Sequence, residues 1–290
     1  MATAPTNGIE TYYQRQGSGP PIIFIHGAVL DHAQWDRQAE ALADDHTTVA
    51  YDVRGHGRTG GSPRAPYSID LFADDLDALI TELDLDRPVL VGLSMGGLVA
   101  QVYAARHPER VGGLVLAGTF TPAFTGVRER FQRSLALRAT IPFVRLFGYE
   151  RIERAMVWAY ERFSTTGASG DYETIERLRA EGPTMATAEF AKVMRAVALF
   201  HRVKVDYAAI AVPVRILYGE NEPPFVREQA DMLASALADA EVREIPGAGH
   251  ASNLDAPEQF TGAVRDLLER AEQAERERGA DAGSTGVDGG

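Results

Sequence analysis

Val89-Leu90-Val91-Gly92-Leu93-Ser94-Met95-Gly96-Gly97-Leu98-Val99-Ala100-Gln101-Val102-Tyr103-Ala104-Ala105-Arg106 decides how this chain is read. A short β-branched run breaks into glycine, serine and glycine and continues in helical periodicity, which predicts a strand, a sharp turn and a helix. In that setting G-x-S-x-G has a mechanical meaning. The turn strains the serine backbone, the flanking glycines remove Cβ atoms that would collide, and the hydroxyl is pushed out past the strand's carboxyl end. The helix start places backbone N–H groups and a positive dipole end beside any oxyanion formed there. Ser94 therefore reads as a nucleophile. The blander reading is a glycine-rich turn that lets helix and strand pack closely.

Outward from this turn, short apolar runs at Pro21 to Ile25, Thr47 to Val53, Pro88 to Val91, Val111 to Ala117, Val212 to Tyr218 and Glu241 to Ile245 read as buried strands. Helical patterns at Gln34 to Ala43, Ser68 to Leu83, Met95 to His107, Arg227 to Leu237 and Pro257 to Glu275 alternate with them. Repeated strand–helix crossovers imply a mostly parallel, doubly wound α/β sheet covered on both faces. The alternating stretch Ile9 to Gln16 adds an antiparallel strand at one edge. Between Ala117 and Val212 the alternation stops. Helical patterns at Arg128 to Leu146, Arg151 to Phe163, Tyr172 to Ala180 and Ala188 to His201 replace it, and they read as an inserted helical unit placed to cover a site. The expected division is a core from 1 to 119, a helical insertion from 120 to 206, the rest of the core from 207 to 278, and an unstructured Gly/Ser/Asp-rich tail from 279 to 290.

Length and composition set the limits. At about 150 residues per domain, 290 residues allow one large domain or a core with a sizeable insertion. With 45% hydrophobic and 24% charged residues, the chain can bury enough apolar surface to offset its ordering entropy. The absence of cysteine excludes disulfides, thiolate metal sites and a cysteine nucleophile. A formal charge of −12 repels phosphate backbones and anionic membranes, so nucleic acid and membranes are not expected partners. No run approaches the length of a membrane span and no export signal opens the chain, so a cytoplasmic protein is expected. Oligomeric state is left open. There is no H-E-x-x-H motif and no dinucleotide fingerprint around Gly55 and Gly57, so neither a metal nor a cofactor is expected.

A serine hydroxyl needs an imidazole to take its proton. Of the seven histidines, His250 lies in the small-residue loop Gly247-Ala248-Gly249-His250-Ala251-Ser252-Asn253 after the last predicted strand, where it can reach over the sheet's carboxyl edge. His26 and His56 read as loop supports, and His32, His46, His107 and His201 as surface or helix-end residues. The third partner should be a carboxylate that fixes the imidazole tautomer. The turn after the penultimate strand, Tyr218-Gly219-Glu220-Asn221-Glu222, offers two acids. Spacing from Gly219 favours Glu222 and leaves Glu220 as the alternative.

With these residues in place the sequence resembles the α/β-hydrolase superfamily over nearly its whole length. The resemblance rests on His26-Gly27, Asp52-Val53-Arg54-Gly55-His56-Gly57, the turn at Ser94, Gly219 with Glu222, and Gly249-His250, in the order nucleophile, acid, histidine. It implies an oxyanion hole from the N–H groups of Met95 and Ala28, and a cap domain in the insertion. One departure is a glutamate at position 222 where the family usually has aspartate. Gly92-Leu93-Ser94-Met95-Gly96-Gly97 looks similar to the enol-lactonase, cofactor-free haloperoxidase and carboxylesterase branch, which implies a small-molecule ester or lactone substrate. Acyl transfer to another acceptor, carbon–carbon bond hydrolysis and a non-catalytic ligand sensor are the competing readings. Phe120, Phe124, Phe143, Phe147, Trp158 and Phe163 are candidates to line an acyl pocket or simply to pack. Arg128, Arg130, Arg133 and Arg138 are candidates to receive a substrate carboxylate or to form a solvated helix face. Trp35 is expected to pack on the core.

Overall fold

The computed structural model describes residues 2–131, 133, 142–144, 146, 148, 151 and 182–284. Eight strands form one sheet in the order β1-β2-β4-β3-β5-β6-β7-β8. They are β1 Ala2–Thr6, β2 Ile9–Gln16, β3 Pro21–Ile25, β4 Thr47–Tyr51, β5 Val89–Leu93, β6 Gly113–Ala117, β7 Val214–Gly219 and β8 Ala240–Ile245. β1 pairs antiparallel with β2 and β2 antiparallel with β4, while β4, β3, β5, β6, β7 and β8 run parallel to one another. The principal helices are α1 Asp36–Leu42, α2 Ile69–Glu82, α3 Met95–Arg106, α4 Thr187–Ala198, α5 Pro224–Ala236 and α6 Pro257–Ser284. Among the described residues no helix is long and apolar enough to cross a membrane.

The near-continuous apolar strands split their side chains between two cores, as period-two geometry requires. Ile23 and Ile25 of β3, Leu90 of β5, Leu114 and Leu116 of β6 and Val214 and Ile216 of β7 join one cluster with α2, α3 and α5. Ile22 and Phe24, Val91 and Leu93, Val115 and Ala117, and Leu217 join the other, with Trp35, α1 and α6. The Trp35 ring centroid lies 5.2 Å from Phe24 and 5.7 Å from Phe260, the packing role expected of it. Ser68 caps α2, its side chain accepting from the Leu71 N–H.

Two elements depart from the sequence reading. β1 is not foreseen, because Ala-Thr-Ala-Pro-Thr carries no apolar alternation; its pairing with β2 comes from backbone bonds in an edge position. α6 continues to Ser284, so residues 279–284 are helical rather than part of an unstructured tail. The helix-forming run Glu272 to Arg278 ahead of them and two alanines among them favour extension, against a glycine penalty of about 1 kcal/mol each. The expected helices at 151–163 and 172–180 and most of that at 128–146 lie outside the described residues, as do Arg138, Phe147, Trp158 and Phe163. The last expected insertion helix is present as α4, followed by the turn Phe200–Arg202.

The segment Asp52 to Gly57 is fastened to α2 by a buried bidentate ion pair. Arg54 Nε and Nη2 donate to Asp75 Oδ2 and Oδ1 at 2.7 and 2.6 Å, and the side chains are 2% and 4% exposed. Asp75→Ala would leave the guanidinium buried and uncompensated, and is expected to destabilise the protein by about 3–5 kcal/mol in urea unfolding. A loss below 1 kcal/mol, the range of an exposed pair, would contradict this account.

Candidate active site

All six parallel strands end on one edge of the sheet, so the loops after β3, β5, β6, β7 and β8 converge there. Ser94 follows β5 with φ 52 and ψ −113, a backbone conformation that a side-chain-bearing residue holds only under steric cost. Its surroundings impose that conformation. Ser94 N–H donates to Ala117 O at 2.8 Å, and its carbonyl accepts from Leu98 N–H at 3.2 Å and from Thr119 Oγ1 at 2.9 Å. The neighbouring glycines are required by space: a Cβ on Gly96 would lie 2.0 Å from Ile25 O, and one on Gly92 would lie 2.5 Å from the Gly96 backbone.

The histidine and acid loops are stitched together by backbone bonds. Glu220 N–H donates to Ile245 O at 3.1 Å and Asn221 N–H to Ala248 O at 2.9 Å, while a Cβ on Gly219 would lie 2.2 Å from Gly249 O. This closeness brings Glu222 Oε1 to 2.6 Å from His250 Nδ1. The Glu222 side chain is 1% exposed and its second oxygen accepts from Gly219 N–H at 2.9 Å, so the longer glutamate arm curls back onto its own turn. Glu220 instead accepts from Gly247 N–H at 2.8 Å. Of the two candidate acids, Glu222 is the one that meets the imidazole.

The His250 side chain is 49% exposed. Burial of its inner part disfavours the imidazolium, but the hydrogen bond and charge of Glu222 outweigh this, and its pKa lies above the ordinary histidine value. Ser94 and His250 line one cavity of about 360 Å³ together with Gly118, Phe120, Arg133, Phe225 and Val226. Gly118, at φ 50, is a close-approach position: a Cβ there would sit 3.1 Å from His250 Nδ1 and 3.2 Å from Glu222 Oε1.

Met95 opens α3, where the first-turn N–H groups have no partner within the helix. Ala28 lies in the loop after β3, beside Val29 at φ 62. His26 holds that loop. Val53 N–H donates to His26 Nε2 at 2.9 Å, which puts the ring proton on Nδ1, from where it donates to Gly27 O at 2.7 Å. Complete burial pushes the His26 pKa down and keeps it neutral. His56 packs edge-on against His26 at 4.8 Å, and burial pushes its pKa down to about 3. Both act as loop supports, as their positions in the sequence suggest.

Some expectations do not hold. His32 is not a surface residue: it is 5% exposed, and its backbone N–H and Nδ1 both contact Asp52 Oδ1, at 2.8 and 2.7 Å. Asp52 is also held by Arg58 N–H at 2.7 Å. Asp31, His32 and Asp52 bring one ligand-type atom each within 4.8 Å of one another, and these hydrogen bonds use them, Asp31 Oδ1 accepting from Ala33 N–H. Phe143 is 57% exposed and is not among the described residues that line the cavity. Phe120 does line the cavity, whereas Phe124 stacks on His201 and on the Arg133 guanidinium.

The sequence reading also missed a support for Ser94. Gln101 Nε2 donates to Gly97 O at 3.0 Å and Phe120 O at 3.3 Å, and its Oε1 accepts from Tyr207 OH at 2.6 Å. With Thr119 this ties the strained turn to the chain's return from the insertion. The usable signal was position, since Gly118-Thr119 follow a central strand at its carboxyl end. Thr119→Val removes the hydroxyl bond to Ser94 O. It is expected to lower stability by about 1 kcal/mol and, through misorientation worth a similar amount, kcat by about tenfold with KM unchanged. An unchanged kcat in steady-state ester hydrolysis would reduce Thr119 to packing.

Comparison with known proteins gives the same fold. A family model described as the alpha/beta hydrolase fold matches residues 20–257. The pimeloyl-[acyl-carrier protein] methyl ester esterase of Chromobacterium violaceum is 31% identical over 265 residues, covering 89% of this chain and 98% of that protein. The 3-oxoadipate enol-lactonase 2 of Acinetobacter baylyi is 27% identical over 256 residues, covering 88% of this chain and 91% of that protein. Among solved structures, a thermophilic esterase from Thermogutta terrifontis aligns with a TM-score of 0.75 at 26% identity, covering 93% of this chain and 98% of that one.

Proposed function

This chain belongs to the alpha/beta hydrolase fold family, and we propose that it is a serine hydrolase that cleaves a carboxylic ester or lactone through an acyl-enzyme. The observation that carries this reading is the 2.6 Å contact of Glu222 with His250, in a cavity that Ser94 shares. Glu222 holds the ring proton on His250 Nδ1, which leaves Nε2 as the base. Ser94 Oγ attacks the carbonyl carbon as Nε2 takes its proton. The N–H groups of Met95 and Ala28 receive the oxyanion, each worth about 3–4 kcal/mol in the transition state. His250 then returns the proton to the leaving alkoxide, the C–O bond breaks, and an alcohol departs. Water repeats the sequence on the acyl-enzyme and releases the acid. Phe120 and Arg133, described residues of the expected cap segment, line this site. The methyl ester esterase and enol-lactonase among the relatives support ester-bond chemistry for this chain.

The test pairs a panel of p-nitrophenyl esters and lactones with a fluorophosphonate probe and mass mapping. Turnover with label on Ser94 is the expected result. Label on another serine, or specific ligand binding without turnover, would overturn the assignment in favour of a different site or a sensor.

A further inference from the structure

The cavity beside Ser94 has in its wall one member of an ion pair that the hydrolytic steps do not use. Arg133, 9% exposed, is the described member of the expected carboxylate-binding arginines that lines it; Arg128 and Arg130 are exposed. Both terminal nitrogens of its guanidinium are already occupied, and Nε alone has no hydrogen-bond partner among the described residues. Nη1 donates to Glu129 Oε1 at 2.5 Å and Ala123 O at 3.1 Å, and Nη2 donates to Thr121 O at 2.9 Å. Its plane lies over the Phe120 ring at 3.7 Å. Glu129, 3% exposed, is held in turn: Oε1 accepts from Gln229 Nε2 at 2.8 Å, and Oε2 accepts from Thr125 N–H and Oγ1 at 2.5 and 2.9 Å. Gln229, wholly buried on α5, also accepts from Thr121 N–H at 2.7 Å. The positive charge in the pocket wall is thus cancelled within hydrogen-bond distance, by a carboxylate that four donors fix in place.

An anionic substrate entering here would exchange hydration for a closed ion pair and for the apolar faces of Phe120, Pro223, Phe225 and Val226. A neutral apolar group loses nothing of that kind and gains burial. We propose that the pocket selects esters whose acyl group is uncharged and apolar, and that Glu129 sets this specificity by neutralising Arg133. The inference rests on the hydrolase reading above. At about 30 Å³ per water-sized group, a cavity of 360 Å³ holds about a dozen non-hydrogen atoms, the reacting carbonyl included.

The experiment compares p-nitrophenyl hexanoate with the mono-p-nitrophenyl ester of hexanedioic acid, equal in chain length but ending in methyl or carboxylate. High salt screens the long-range repulsion of a chain carrying −12. Wild type is expected to favour the hexanoate in kcat/KM by about tenfold or more. Glu129→Gln, which leaves Arg133 uncompensated, is expected to narrow that ratio by about tenfold, and Glu129→Gln with Arg133→Met to restore it. A wild-type enzyme that turns over the carboxylate-ended ester as fast or faster overturns the proposal and leaves the hydrolase reading intact. An unchanged ratio in folded Glu129→Gln overturns the role of Glu129. If that variant does not fold, the wild-type ratio alone decides the selectivity, and failure of the double variant Glu129→Gln with Arg133→Met to retain it decides against the pair. No turnover of either ester overturns the hydrolase reading, and the inference falls with it.

Discussion

Ser94→Ala is expected to lower kcat for p-nitrophenyl ester hydrolysis by on the order of a millionfold, the loss typical of removing the nucleophile from an interdependent triad. What remains is catalysis by oxyanion binding and orientation, which need no hydroxyl. The fold should not suffer. The bonds that hold this residue in place run through its backbone, from Ser94 N–H to Ala117 O and from Leu98 N–H and Thr119 Oγ1 to Ser94 O, and alanine keeps all of them. Ser94→Gly separates strain from chemistry. At φ 52 glycine relieves a cost of about 1–3 kcal/mol that serine and alanine share, less what it loses in unfolded-state entropy. The glycine variant should therefore be as inactive as the alanine variant but melt higher. If Ser94→Ala retained turnover within tenfold of wild type in protein shown free of contaminating esterase, Ser94 would not be the nucleophile, whatever its geometry.

The parts of this molecule that local pattern determines were readable in the sequence. β3, β5 and β6 are buried on both faces and appear as apolar runs, and Ser68 announces α2 because a capping side chain acts within one helical turn. The turn at Ser94 was legible because G-x-S-x-G between a strand and a helix is itself a local pattern, although Gly96 answers to Ile25 O on β3, far away in the chain. What depends on distant chain was not. His32 looked like a surface histidine because Asp52, which buries it, arrives twenty residues later on β4's exit. The contact from Tyr207 to Gln101 spans 106 residues and leaves no periodicity to find. Arg133 read as a cation awaiting a ligand although Glu129 stands four residues earlier, at the spacing of a helical ion pair; what local pattern did not give was the burial of that pair, which Gln229 on α5 completes. The choice between Glu220 and Glu222 likewise needed the stitching of two loops, since both acids follow β7 within a single turn.

Glu222→Gln is expected to lower kcat/KM by about 10⁴-fold, and the reason lies in the tautomer. A glutamine can keep the bond from Gly219 N–H by presenting its carbonyl oxygen there, which turns its amide NH₂ toward His250 Nδ1. That nitrogen must then accept, the ring proton moves to Nε2, and the base facing Ser94 is lost. The pH profile separates this from simple disorder. In wild type the low-pH limb should titrate above the ordinary histidine value of about 6.5, because Glu222 overcomes the burial that disfavours the imidazolium. Without the carboxylate charge, the limb of the residual activity should move down. Stability carries the same sign. A histidine whose folded pKa is raised adds stability below its unfolded pKa and loses it as pH rises through the folded value. The fall in Tm on Glu222→Gln should accordingly be larger at about pH 6 than at about pH 9. Glu220→Gln is the matched control: the Glu220 carboxylate accepts from the Gly247 N–H while Glu222 holds the imidazole, so the variant's activity should stay within a few-fold of wild type. If the Glu220 variant lost more activity than the Glu222 variant, the acid of this site would have to be reassigned despite the 2.6 Å contact.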